Sequence, residues 1–180
     1  MIIAKAKKKE NIAEYILYMW QIEHLIRVLN FDIDKIYQNI ILKFEQPDSV
    51  KKEMKDWYIG LIAMMKDENI IEKGHLQFVL NSINDLYDLH LRMINTDDEQ
   101  QYIQTYNLSK PGIDELLNKP GQTSGNEIEA CFNALFGLLM YRIQNKSISP
   151  ETADAMQHIS KLIALLSKKY MQIEKGEIEF

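Results

Sequence analysis

Asn11-Ile12-Ala13-Glu14-Tyr15-Ile16-Leu17-Tyr18-Met19-Trp20-Gln21-Ile22-Glu23 is the stretch on which the fold turns. Asn11 followed three residues later by Glu14 has the spacing of a capping box, in which side chains take up the free N–H groups that open a helix. Beyond it Tyr15, Met19, Ile22, Leu25, Ile26 and Leu29 recur at helical intervals, which predicts a helix over Ile12–Leu29. Ile16, Leu17, Tyr18 and Trp20 fill the other faces, and a helix apolar nearly all round belongs at the centre of a bundle. The Tyr15, Tyr18, Met19, Trp20, Ile22 stripe therefore reads first as core and only second as a pocket lining or partner-binding stripe.

Working outward, Asp32 is placed to cap a helix ending near Phe44, and Pro47 precedes another over Ser49–Lys66. A fourth helix is expected from Glu72 to Ile94. Thr96 with Glu99 opens a shorter one to Tyr106, after which Pro and Gly predict a long irregular connection over 107–125 with room for one helical turn at Ile113–Asn118. Ser124 with Glu127 then opens a helix to Ile143, and Pro150 stands at the first position of a last helix to Ile173. No window alternates as a strand does. The expectation is an all-α, single-domain bundle of six to seven helices over residues 1–180. A weak repeat, with Gly60-Leu61 matching Gly137-Leu138 77 residues later, suggests two similar helical hairpins.

The composition fits one globular domain: 180 residues, 46% hydrophobic and 26% charged. Cys131 is the sole cysteine, which excludes an intrachain disulfide and reads as a buried thiol. The opening residues lack the apolar core and cleavage site of a signal peptide, and the longest apolar run, Tyr15–Trp20, is far too short to span a bilayer. A cytoplasmic location is the resulting expectation. The net charge of −5 disfavours a general nucleic-acid binder, the Lys5, Lys7, Lys8, Lys9 cluster reading as a solvated tail.

The three arginines, Arg27, Arg92 and Arg142, all lie within apolar helical stretches. Arginine suits interior ion pairs and bidentate anion recognition. Glu23 and Asp88 stand four residues before Arg27 and Arg92, whereas Arg142 has no acid within a turn. Asn81, Asp85, Asp88 and Arg92 share one helical stripe. Two readings follow: a polar cleft in which Glu23, Arg27, Asp85, Asp88, Arg92 and Arg142 converge on a small charged ligand or metal, or, preferred, an ordinary solvated face.

Metal motifs are thin. Glu72-x-x-His75 is one half of a di-iron pattern, and Glu151, Asp154 and His158 share a helix face that could contribute to a histidine-rich zinc site with His24, His75 or His90. No metal or cofactor is assigned on that basis. Gly121–Gly125 lacks the Lys-Ser/Thr ending of a phosphate loop, and neither a nucleophile elbow nor a Cys-His pair is visible.

The segment Asn11–Glu23 preceded by Met1–Lys5, together with Lys146–Thr152 and Ile159–Leu166, resembles an uncharacterised bacterial family catalogued as a domain of unknown function. The resemblance implies an all-helical cytoplasmic protein and transfers no activity. The functional reading ranked first is a non-enzymatic helical interaction protein, homodimeric or joined to another protein, because the helix at Ile12–Leu29 and the Phe132–Ile143 segment are apolar on more than one face. A small-molecule or metal-binding bundle, with enzyme activity an option, ranks second. A nucleic-acid regulator using the basic amino-terminal arm with Lys51, Lys52 and Lys55 ranks last.

Overall fold

A computed structural model describes residues 2–119 and 124–179, and among these it contains eight α-helices and no strand. The fold is all-α, with one helix more than the upper expectation. The central helix spans Ile12–Val28 and has the predicted cap: the Asn11 side chain accepts from the N–H groups of Ala13 and Glu14 at 3.0 and 3.2 Å. Glu14 does not close the box from its side, because its carboxylate takes the Lys7 ammonium at 2.7 Å.

Lys7 belongs to the element that the sequence reading missed, α1 (Ile2–Glu10). Four lysines in nine residues give it little intrinsic claim to be a helix, and short helices are marginal without tertiary support. That support comes from the central helix, α2: Ala4 is buried, and Lys8 lies 5.4 Å from the Tyr15 ring. Trp20, Ile16 and Ile26 of α2 are sealed from solvent, and α1, α5, α7 and α8 surround it.

Asp32 caps α3 (Ile33–Asn39) through the N–H groups of Asp34 and Lys35, and a 3₁₀ turn at Ile41–Lys43 replaces its expected last turn. Next come α4 (Asp48–Asp67) and α5 (Gln77–Ile94). The start of α5 falls five residues later than Glu72 because Gly74 has φ +95°, outside the helical region, and because the Leu76 N–H is taken by Glu23.

The largest departure is α6, which runs unbroken from Gln100 to Leu117 through Pro111, where an irregular connection was expected. Proline in a helix interior costs about 3 kcal/mol. Packing outweighs it here: Tyr102, Ser109 and Ile113 are buried, and Gly112 lets α6 approach so closely that an added Cβ would stand 3.4 Å from that of Ala155 in the last helix. Only 118–126 remains as connection, and 120–123 lie outside the described residues.

α7 (Glu127–Ile143) is capped by Asn126 rather than Ser124. The Asn126 side chain accepts from Glu129 N–H at 2.8 Å while the Glu129 carboxylate accepts from Gly125 N–H at 2.7 Å. Ser149 and Pro150 open α8 (Pro150–Glu174) as predicted. The repeat does not become two similar packed hairpins: α7 packs on α8 and α5 packs on both, whereas α4 lies against α3 and the 3₁₀ turn rather than along α5.

Candidate functional site

The six residues expected to converge occupy three separate places. Asp85, Asp88 and Arg92 lie on the solvent side of α5, opposite the buried stripe Val79, Ile83, Leu86 and Met93. Arg92 borders an open polar cleft with Asn95, Thr96, Asp98 and Lys169. Glu23 and Arg27 lie together at the α4–α5 connection. Arg142 is on the exposed end of α7. The periodicity correctly put Asp85, Asp88 and Arg92 on one stripe, but the buried face of α5 is the opposite one.

Glu23 is completely buried and accepts two hydrogen bonds, from His75 Nδ1 at 2.6 Å and from the Leu76 N–H at 3.0 Å. His75 stacks on Trp20 with ring centroids 3.8 Å apart. Arg27 donates to the carbonyls of Ile70 and Gly74 at 3.0 and 2.5 Å. The two residues are therefore not an isolated helical pair: both fasten the α4–α5 connection to α2 and deliver the first turn of α5. Burial holds the Arg27 guanidinium below its ordinary pKa, and the Glu23 charge works against that shift.

Sequence reasoning missed a second cluster. His90, fully buried in the middle of the apolar face of α5, bonds Tyr102 through Nδ1 at 2.7 Å and Glu127 through Nε2 at 3.0 Å. Tyr106 donates its hydroxyl to the other Glu127 oxygen at 3.0 Å. A carboxylate that accepts from both sides assigns the imidazole proton to Nε2, leaving Nδ1 to accept from the Tyr102 hydroxyl. The His90 hydrogen bond holds the Glu127 carboxyl below its usual range against the opposing effect of burial. Burial, reinforced by Glu127, pushes Tyr106 up to about 12, and burial raises Tyr102 too. Cys131 is buried as expected, its thiol pushed up to about 12 by burial and by Glu127. The cluster keeps its hydroxyls and thiol protonated and ties α5, α6 and α7 together. The only sequence signal was a histidine on an apolar stripe, because Glu127 read as part of a cap.

Among the described residues no three His, Cys, Asp or Glu side chains converge to hold a metal. His158 reaches Asp154 at 3.7 Å, and His24 stands edge-on to Phe136. Of the lysines in the nucleic-acid reading, Lys55 pairs with Asp34 and Lys7 with Glu14.

The carboxyl-terminal half of α7 packs only partly on the core, through Ala134, Leu135, Phe136 and Leu138. Asn133 to Ile143 contains Leu135, Phe136, Leu138, Leu139, Met140 and Tyr141, yet none of its residues is buried. Tyr141 is 47% and Ile143 62% exposed. One side of this segment, with α8 and Leu17, walls a groove. The other side carries Gly137, Met140 and Tyr141, outside that groove, and a Cβ added at Gly137 would meet nothing. α2, whose apolar faces raised the same expectation, is instead enclosed by its neighbours.

The family model described as "Domain of unknown function (DUF4924)" matches residues 1–177, and the chain belongs to that family. No curated protein and no solved structure matches the chain. Among the described residues no helix is long and apolar enough to cross a membrane.

Proposed function

For this member of a family whose name carries no activity, we propose a non-enzymatic helical interaction protein that pairs with a second copy of itself through the outer side of α7. The observation that carries the reading is the outer side of Asn133–Ile143: Ala134, Leu135, Phe136 and Leu138 pack partly on the core, but Tyr141 and Ile143 stay exposed and Gly137 meets no neighbour. A contiguous apolar surface of this kind marks an interaction site. Gly137 adds to it: a glycine inside a helix costs about 1 kcal/mol relative to alanine, and here no neighbour in the chain uses the space it leaves.

Charge favours a second copy as the occupant. The outer stripe has no acid, and Lys146 lies 5.7 Å from the Tyr141 ring as a cationic rim. A chain of net charge −5, with Glu151 and Asp154 exposed on the first turns of the adjoining α8, offers the complementary surface. A two-fold pairing, in which each copy presents the same patch, uses both features at once. We place the protein in the cytoplasm, a reading that its single buried thiol supports.

Size-exclusion chromatography with light scattering on wild type and Tyr141→Glu tests the proposal. Because Tyr141 is half exposed, the variant should fold normally and elute as a monomer while the wild type elutes as a dimer. Equal masses for the two proteins remove the reading.

A further inference from the structure

The groove on the inner side of α7 is a different surface from the outer stripe, and its chemistry asks for something other than a protein helix. Its volume is 760 Å³, within the range of roughly 300–1,000 Å³ usual for small-molecule sites. Leu17 of α2, Leu135, Leu138 and Leu139 of α7, Ile148 of the connecting turn and Met156 of α8 give it an apolar lining. It stays open because the facing wall of α8 presents short side chains, Ala153, Ser160 and Ala164.

Two cations stand against this lining, Arg142 from α7 and Lys161 from α8, and no acid lines the groove. Both are exposed, and neither side chain forms a hydrogen bond or ion pair with any described residue. In a chain of net charge −5, an acid-free apolar groove with two unpartnered cations is a marked local reversal of sign. Arg142 can hold a carboxylate in bidentate fashion, with Lys161 as a second point charge.

We infer that this groove binds a free long-chain carboxylate, its alkyl chain along the Leu and Met lining and its head group drawn by the positive charge that Arg142 and Lys161 give the groove. Length agrees with the assignment. From Ala153 to Ala164 the α8 wall rises about 16 Å at about 1.5 Å per residue. One acyl chain occupies half of the roughly 30 Å hydrocarbon core of a bilayer, or about 15 Å. Burial of each methylene favours binding, so longer chains up to that length bind progressively more tightly.

Isothermal titration of the full chain with dodecanoate, dodecanol and dodecyltrimethylammonium, each below its micelle-forming concentration, tests the inference. The wild type should bind one dodecanoate per chain, and bind the alcohol and the cationic amphiphile at least about tenfold more weakly, the scale of one charge-assisted contact. The double variant Arg142→Glu/Lys161→Glu changes two exposed side chains, and circular dichroism should show an unchanged fold. It should lose dodecanoate affinity by about tenfold or more and prefer the cationic amphiphile. Ala164→Trp, which fills the groove from its wall, should abolish binding of all three. Tyr141→Glu should leave dodecanoate binding intact, which keeps this result separate from the pairing of two copies. Equal affinity for the three amphiphiles, dodecanoate binding untouched by charge reversal, or dodecanoate that binds only by splitting a dimer would each overturn the inference.

Discussion

Replacing Glu23 by leucine is the most informative single perturbation of the scaffold. The substitution keeps roughly the same volume but removes the acceptor for two donors, His75 Nδ1–H and the Leu76 N–H, at a site with no exposed surface. Each buried donor left without a partner costs about 1–3 kcal/mol, and the buried leucine returns part of that through its apolar area. The expected net loss is about 2–4 kcal/mol, which for a chain of this size corresponds to a fall in Tm of about 5–15 °C. The damage should be directional. The Leu76 N–H opens α5, and His75 is held in its stack on Trp20 by the same carboxylate, so the α4–α5 connection and the first turn of α5 should loosen before the rest. Urea denaturation followed by tryptophan fluorescence and circular dichroism gives the magnitude, and amide exchange gives the location. Asp88→Ala is the matched control: on the solvent side of α5 it should change stability by no more than about 0.5 kcal/mol. If Glu23→Leu and Asp88→Ala cost the same, or if exchange in α5 is unaltered, the assignment of Glu23 to the scaffold is wrong.

Further outcomes follow from other parts of the structure. Glu127 has a folded pKa below its ordinary value of 4.5, so the unfolded chain binds more protons in that window; its stabilisation is present above about pH 4.5 and is lost as pH falls through the folded value. The stability gap between wild type and Glu127→Gln, measured by urea midpoint, should therefore shrink on acidification below that point, and a constant gap would contradict the His90–Glu127 account. Gly112→Val forces branched atoms against Ala155 and Ile159 of α8, and should destabilise by about 1–3 kcal/mol in thermal melts, whereas Gly60→Ala, where a Cβ meets nothing, should be neutral or stabilising. Cys131 is sealed and its thiol is raised to about 12, so Ellman's reagent should react with it only after unfolding. Prompt reaction in the native protein would show that α7 opens.

The elements legible in the sequence were those whose signals are local. Asn11, Asp32 and Pro150 mark the starts of α2, α3 and α8 by capping chemistry seated in nearby backbone, although the Asn11 oxygen also accepts from the distant Ser167 hydroxyl, and the apolar periodicity of α2 is strong enough to identify the core. What was not legible depended on partners distant in sequence. α1 exists because α2 covers it, and α6 continues through Pro111 because α8 meets Gly112. Glu127, which looked like half of a cap, is drawn away by His90 and Tyr106. The candidate site failed as a unit for the same reason: Glu23 and Arg27 were correctly singled out as unusual on an apolar helix, but their partners are the imidazole and backbone groups of a connection some fifty residues away. Arg142, noted for having no acid within a turn, has no hydrogen-bond or ion-pair partner for its guanidinium among the described residues either, and that local anomaly carried through to the groove.

The central claim, that the outer side of α7 exists to be covered by a second copy, is tested most directly by native mass spectrometry of tag-free protein across the low micromolar range. The account predicts a dimer whose proportion rises with concentration and which collapses to monomer in Tyr141→Glu. A monodisperse monomer at every concentration would contradict it.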